Sequence, residues 1–412
     1  MATAAQNDAR RTARGEMPGA APIERDAAGT WHIRSFAAAR QLLRGNATKQ
    51  AGFKAELLER LPQQGRTPIL FLEGAPHHEQ RRLTAPFFTP RAVDTRYRAL
   101  MSRLADQVIG RFAKQGRAEL SAMGMEMAVG VASEVVGLTD SRVPGLDRRI
   151  NAFFSGGLEG EGGRIRRLWQ ALVAQIRLAR FYWLDVRPSI AARRREPRED
   201  VISHLLSQGY RDSEILTECI TYGAAGMVTT REFITVCAWH LLDDADLRQR
   251  YLSADEPTRH KLLEEVLRLE PVVGTLFRRA MSDISLDDAT IPQGALVAVD
   301  LRAVNADPAV SGDAPLSLDP DRCPMHRAGS AVMSFGDGHH RCPGSFLAIQ
   351  ETDIFLTRLL ELPGLRMEKA PDVSWNDLVT GYELRSAWLH CDAPAASGGR
   401  AGSSEVRQGS AT

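Results

Sequence analysis

Phe335-Gly336-Asp337-Gly338-His339-His340-Arg341-Cys342-Pro343-Gly344 is the stretch on which the reading of this chain turns. It is followed by Ser345, Ile349, Leu359 and Leu360 at helical spacing, so it reads as a shaped loop that opens into a helix. The glycines permit positive φ angles and let the backbone approach a flat ligand closely. A cysteine just ahead of a helix N-terminus feels the partial positive charge of unpaired amides, which favours thiolate over thiol.

A lone cysteine beside a glycine-rich loop is more often buried and inert, and a structural zinc site is a sharper rival. Cys323, His326, His340 and Cys342 offer two sulfurs and two nitrogens. Their spacing, Cys323-Pro-Met-His326 and then His340-Arg-Cys342, lacks the paired C-x2-4-C and H-x3-5-H pattern of such sites. A thiolate at this position also suits haem iron, onto which it pushes electron density.

The surrounding composition is that of a globular protein. At 412 residues the chain exceeds the usual single-domain size, and 43% apolar residues supply a large core. Lys and Arg total 52 against 51 acids, a net charge of +1, which gives no reason to expect nucleic acid or an acidic membrane as the main partner. Any partner surface must be local. Five irregularly spaced cysteines, Cys219, Cys237, Cys323, Cys342 and Cys391, argue against a disulfide framework and for a reducing compartment, so a cytoplasmic location is expected. Residues 1–19 have no apolar stretch suited to a signal peptide or membrane anchor, and 394–412 turn to Ala, Ser and Gly. Both ends are expected to be disordered arms around one unit spanning 20–393.

Apolar residues recur three and four apart through Leu100, Leu104, Val108, Ile109 and Phe112, and most of Arg91 to Leu242 reads as helix. Strand-like runs are short: Thr30 to Ile33, Ile284 to Leu286, Ala295 to Val299 and Ser386 to His390. Arg193 to Asp200 reads as a loop between helices. The expected fold class is mainly α with minor β.

The pattern F-G-x-G-x-H-x-C-x-G, present from Phe335 to Gly344, resembles the haem-binding signature of the cytochrome P450 family. That resemblance implies a single large fold, a helix-rich domain with a small β-sheet region, holding haem b. It implies that Cys342 is the axial iron ligand, that Phe335 shields the sulfur and that His340 bonds a haem propionate. Glu265-Val-Leu-Arg268, in a helix from Glu256-Pro257 to Leu269, resembles the family's E-x-x-R pair, which braces the region before the cysteine. Arg278, Ile291-Pro-Gln-Gly294, Asn305-Ala-Asp-Pro308 and Asp319-Pro-Asp-Arg322 resemble the strand, turn and meander that follow. His77-His-Glu-Gln-Arg81 resembles the H-x-x-x-R helix. His77, Arg81, Arg278 and His340 would then give four donors to two propionates.

Ser213 to Leu242 is long, free of proline and suited to a helix across the core, with Ala225-Gly226-Met227-Val228-Thr229-Thr230 at its centre. A threonine hydroxyl that bonds the carbonyl four residues back bends a helix and opens a niche. By the resemblance this niche, lined by Ala225 and Gly226, holds oxygen, and Thr229 is the alcohol that helps protonate it. The family's usual acid is Val228 here, which leaves Glu232 or ordered water as substitutes. The departure also keeps open a coupling, desaturating or peroxide-driven chemistry. A third reading is a non-catalytic binding module of the same fold that recruits a carrier protein.

The resemblance suggests Leu70, Leu72, Tyr222, Val272, Val273, Thr275, Thr380 and Tyr382 as the substrate wall. Most are apolar or weakly polar, so a small hydrophobic molecule, such as a secondary metabolite, is expected. Electrons would come from a ferredoxin or flavodoxin with its reductase, docking on a basic patch of Arg341, His339 and Arg82.

Overall fold

The computed structural model of the chain describes residues 21–52, 66–154, 164–322, 329–376 and 380–392. The arms expected at 1–19 and 394–412 lie outside the described residues, as do Cys323 and His326 of the rival zinc set.

The principal helices are α1 (Phe36–Arg44), α2 (Gly74–Thr84), α3 (Arg98–Gln115), α4 (Leu120–Val136), α5 (Leu146–Phe154), α6 (Arg164–Phe181) and α7 (Arg187–Arg195). There follow α8 (Val201–Ser207), α9 (Asp212–Tyr222), α10 (Thr229–Asp243), α11 (Ala245–Ser253), α12 (Glu256–Leu269) and α13 (Ser345–Leu360). The strands are β1 (Ile23–Arg25), β2 (Trp31–Ile33), β3 (Thr48–Gln50), β4 (Arg117–Glu119), β5 (Thr275–Ala280) and β6 (Ile284–Leu286). The remaining strands are β7 (Ala289–Ile291), β8 (Leu296–Asp300), β9 (Arg366–Lys369), β10 (Asp372–Asn376), β11 (Gly381–Arg385) and β12 (Trp388–His390). The fold is mainly α with minor β, as expected.

The main core is helical. α4 carries buried side chains around its whole circumference, from Leu120 to Val136, which marks a helix enclosed on all sides. It lies between α3 and α10, while α13 packs on α3, α12 and α10. α12 starts where the Asp255 side chain accepts the Thr258 N–H at 3.0 Å and Pro257 fits the first turn.

A second, smaller core of Ile33, Phe36, Leu42, Val297, Val299 and Met333 lies against the largest sheet. Its strand order is β1-β2-β8-β5-β3, with β2 and β8 parallel and the other pairs antiparallel. β4-β12-β9 forms a three-stranded sheet, and β6-β7 and β10-β11 are two-stranded.

β1, β3, β4, β7, β9, β10 and β11 were not among the strand-like runs. Most are three to five residues long, too short for an alternating pattern to register. β3, for instance, pairs Thr48–Gln50 with Arg278–Ala280 from far along the chain. The expected loop at Arg193 also starts later. α7 continues to Arg195 because the Arg193 guanidinium is buried on Asp200 and on Asp140, the latter at 2.7 Å.

The expected central helix is present, running through α9, a π turn at Gly223–Val228 and α10. π turns inside α-helices concentrate at functional sites. Among the described residues no helix is long and apolar enough to cross a membrane.

Candidate active site

The loop 335–344 is fixed from both ends. Cys342 N–H donates to the Phe335 carbonyl at 2.8 Å, and Gly336 N–H donates to Met333 at 2.8 Å. Gly336 and Gly338 have φ of 70° and 68°. At Gly338 an added Cβ would stand 2.1 Å from the Leu43 carbonyl oxygen, so the end of α1 and the loop can meet only through glycine. Asp337 caps the Gly338 N–H at 2.8 Å and pairs with Arg44 at 2.9 Å. α13 follows at Ser345, which delivers Cys342 to the helix N-terminus.

Burial raises the Cys342 thiol above its ordinary value, while the Gly344 N–H, Arg81 and Arg341 pull it down and favour the anion.

Behind the loop lies a buried brace. Arg268 is fully buried and holds Glu265 through two bonds of 2.7 and 2.8 Å. It also donates to the carbonyls of Asn305, Pro315 and Ser317 at 3.0, 2.7 and 3.2 Å. Glu265 in turn accepts from the Asp319 N–H at 3.0 Å and from Arg322 at 3.1 Å. Asn305 carries the brace to the loop: its side-chain oxygen accepts the Met333 N–H at 2.9 Å and its amide donates to Ser334 at 2.8 Å.

The four expected donors converge near Cys342. His77 lies 4.2 Å from His340 between ring centroids. Arg81 donates to the Arg341 carbonyl, and its charge acts on both His77 and Cys342. Arg278, buried on β5, bonds Gln50 and acts on His340. Beside them stands an acid that sequence reading missed, which bonds His340 and whose charge acts on His77 and Arg278. Glu73 accepts from His339 at 3.2 Å, His340 at 3.1 Å and the Gln50 N–H at 2.7 Å. Burial acts to raise the Glu73 carboxyl, but His340, the Gln50 amide and His339 together hold it below its ordinary value. Burial and then His340, His339 and Arg81 press His77 down to about 4. Burial lowers Arg278 to about 10. Cations outnumber anions here, and His77 Nδ1 is buried with no hydrogen-bond partner among the described residues.

On the central helix the Thr229 hydroxyl donates to the Ala225 carbonyl at 2.5 Å, the back-bonding expected of it. Ala225 is exposed, although the turns that follow, from Thr230 to Leu241, are buried. At Gly226 and Gly344 an added Cβ would meet nothing within 4 Å. Val228 is buried at the place where an acid was expected. Glu232 does not replace it. Its carboxylate is fully buried and accepts from Arg231 at 2.9 Å, Arg385 at 2.7 Å and the Leu384 N–H at 2.9 Å, which ties α10 to β11. The expected proton-relay role of Glu232 is corrected to a structural one.

Of the expected wall, residues 272–275 and 380 meet directly. Gly274 N–H donates to the Thr380 carbonyl at 3.0 Å, and the Thr380 hydroxyl donates to the Thr275 carbonyl at 2.7 Å. Val272 is buried in the helical core and Val273 half-buried. Tyr382 pairs by its backbone with Trp375. Leu70, within the short turn Ile69–Phe71, and Leu72, which closes it, are half-buried, and the Ile69 N–H donates to Glu218 at 3.1 Å. Tyr222 stacks on Phe88, 6.2 Å between centroids. In the expected basic patch, Arg82 pairs with Glu79 at 2.8 Å and His339 with Glu73, which leaves Arg341 exposed.

The family model described as Cytochrome P450 matches residues 257–373, from the Arg268 brace through the cysteine loop into β10. Cytochrome P450 107B1 of Saccharopolyspora erythraea is 31% identical over 304 residues, covering 72% of this chain and 70% of that protein. This chain belongs to the cytochrome P450 family. Mycinamicin IV hydroxylase/epoxidase of Micromonospora griseorubida is 30% identical over 316 residues, 74% of this chain and 75% of that one. Among solved structures, CalO2 superposes with a TM-score of 0.76 at 22% identity, over 90% of this chain and 93% of that one. P450BioI, in complex with an acyl carrier protein carrying hexadec-9Z-enoic acid, gives 0.73 at 22% identity, over 90% and 95%. At these identities the structural likeness speaks to the fold.

Cytochromes P450 are haem-thiolate oxidoreductases, and the residues present fit such a group. A cysteine sulfur at a helix N-terminus, a cluster with more cations than anions and an unpartnered imidazole nitrogen match an iron macrocycle bearing two carboxylates. The open π turn at Ala225 and Gly226 matches the close approach of a flat ligand. Cys342, His77, Arg81, Arg278 and His340, expected from the resemblance, are brought into one region by the fold. Glu73 was missed because no spacing links it to the loop some 266 residues away.

Proposed function

We propose that this cytochrome P450 is a monooxygenase that hydroxylates or epoxidises a small, largely apolar organic molecule of secondary metabolism. The convergence of His77, Arg81, Arg278 and His340 beside Cys342 carries the reading. Cys342 would ligate the iron of haem b, and the four donors would orient its carboxylates, with Phe335 beside the sulfur. When bound, haem supplies the activation of dioxygen. Glu265 and Arg268 hold the loop at fixed depth through Asn305. Thr229 holds a hydroxyl proton at the accessible centre of the central helix, on the Ala225 carbonyl, from which it is released by rotation about its side chain. Leu70, Leu72, Val273 and Tyr222 exclude water from an apolar substrate. The name of the mycinamicin relative supports hydroxylation or epoxidation. A ferredoxin or flavodoxin, with its reductase, would supply electrons at the face bearing exposed Arg341, in the cytoplasm.

The buried Val228 and the committed Glu232 favour one alternative, a haem-thiolate enzyme driven by peroxide or performing coupling or desaturation. Chemical typing of the extracted haem, followed by turnover in labelled dioxygen, tests the reading. Haem b and label in the product support it. Turnover with hydrogen peroxide but not with a reductase chain selects the alternative, and folded protein that takes up no haem overturns both.

A further inference from the structure

Nine arginines and a single acid, Asp185, fall between residues 164 and 195, a charge of +8 that leaves −7 for the rest of a chain whose total is +1. The near-neutral total conceals a strong local segregation of charge. The segment folds as α6, a π turn at Tyr182–Val186 and α7. Phe181, Val186 and Ile190 face the core.

On the opposite side Trp169, Leu172, Ile176 and Trp183 are 66%, 50%, 51% and 49% exposed. Their spacing of three, four and seven residues places them on one helical face. The stripe is about 20 Å long at 1.5 Å per residue. Arg180 and Arg187 are exposed along it, and Arg187 lies over the Trp183 ring at 4.6 Å. Other arginines of the segment are already spent within the fold: Arg193 on Asp200 and Asp140, and Arg194 on Asp212. A contiguous apolar stripe in water is a standing cost that folding alone does not explain.

We propose that this face of α6 and α7 binds peripherally to an anionic lipid surface. Trp169, Leu172, Ile176 and Trp183 enter the headgroup layer, and Arg180 and Arg187 meet lipid phosphates. The opposite charge of the lipid complements the segment. A second copy joined across this face would bring Arg180 and Arg187 of one against those of the other. The stripe lies along one helical face, which a flat surface accepts without a matching pocket. This mode is distinct from spanning, for which no described helix qualifies.

The test is sedimentation of the full-length protein with vesicles of phosphatidylcholine alone or mixed with phosphatidylglycerol, at low and high salt. Binding is expected only to the anionic vesicles and is lost at high salt. Arg180→Gln and Arg187→Gln each weaken it about fivefold at low salt. Brominated acyl chains quench tryptophan fluorescence in the parent protein, while Ile176→Asp, with an unchanged thermal midpoint, shows no quenching. Leu172→Ser serves as the second apolar variant should Ile176→Asp fold poorly. Failure to bind anionic vesicles, or binding that ignores these substitutions, overturns the proposal. So does a stable dimer that the same substitutions dissolve, which would make the stripe a contact between copies.

Discussion

Replacement of Arg268 by alanine tests how the cysteine loop is held. The guanidinium is fully buried and makes two bonds to Glu265 and one each to the Asn305, Pro315 and Ser317 carbonyls. Its loss removes a donor from each of three carbonyls, of which that of Asn305 keeps the Ser311 hydroxyl and that of Ser317 keeps Arg322. It also leaves the Glu265 carboxylate buried with only Arg322 and the Asp319 N–H. Breaking a buried pair by removing one partner costs about 3–5 kcal/mol, a large part of the about 5–15 kcal/mol by which domains are stable. Arg268→Lys restores charge but not the fork of donors, so it recovers only part of the loss. The assay is denaturant unfolding of Arg268→Ala, Glu265→Ala and the double variant. Removing both partners relieves the uncompensated charge, so the double variant should be less destabilised than the sum of the singles by more than about 1 kcal/mol. Strict additivity, or an Arg268→Ala protein within about 1 kcal/mol of the parent, would refute the brace.

At Gly338, φ of 68° and a Cβ placed 2.1 Å from Leu43 predict that Gly338→Ala lowers the thermal midpoint. Gly110→Ala, in α3 with nothing within 4 Å, should raise it slightly, by about 0.5–1 kcal/mol of stability. Burial lifts Glu218 from 4.5 to about 7, against the Ile69 N–H. The folded state thus holds this proton more tightly than the unfolded chain, and stability falls as pH rises between those two values, by about 3 kcal/mol in full. Glu218→Gln keeps an acceptor for Ile69 and should flatten that slope, so its stability relative to the parent rises from about pH 4.5 and levels off just above pH 7; an unchanged slope in urea titrations would contradict the burial argument. Thr229→Ala removes the hydroxyl on the Ala225 carbonyl and should uncouple oxygen consumption from product formation, and equal coupling in variant and parent would remove Thr229 from the reaction.

The parts of this protein legible from sequence are those encoded locally. Glu256 to Leu269 opened on its first-turn proline, Pro257, and the helix has the expected bounds. The cysteine loop was legible because its glycines, sulfur and following helix are contiguous. Thr229 and Ala225 stand four apart, so their bond follows from helix geometry. Glu232 was misread because its partners Leu384 and Arg385 join it only through tertiary packing of β11 on α10. Glu73 escaped for the same reason: it links segments distant in the chain, and nothing in its own neighbourhood announces it; Asn305 was noted by resemblance, but its tie to the cysteine loop was not.

The most direct test of Cys342 as the iron ligand is the absorption spectrum of the purified protein, reduced and exposed to carbon monoxide, beside that of Cys342→Ser. The red-shifted band diagnostic of thiolate ligation should be present in the parent and lost in the variant. A parent that binds haem without that band, or a variant that retains it, would contradict the assignment.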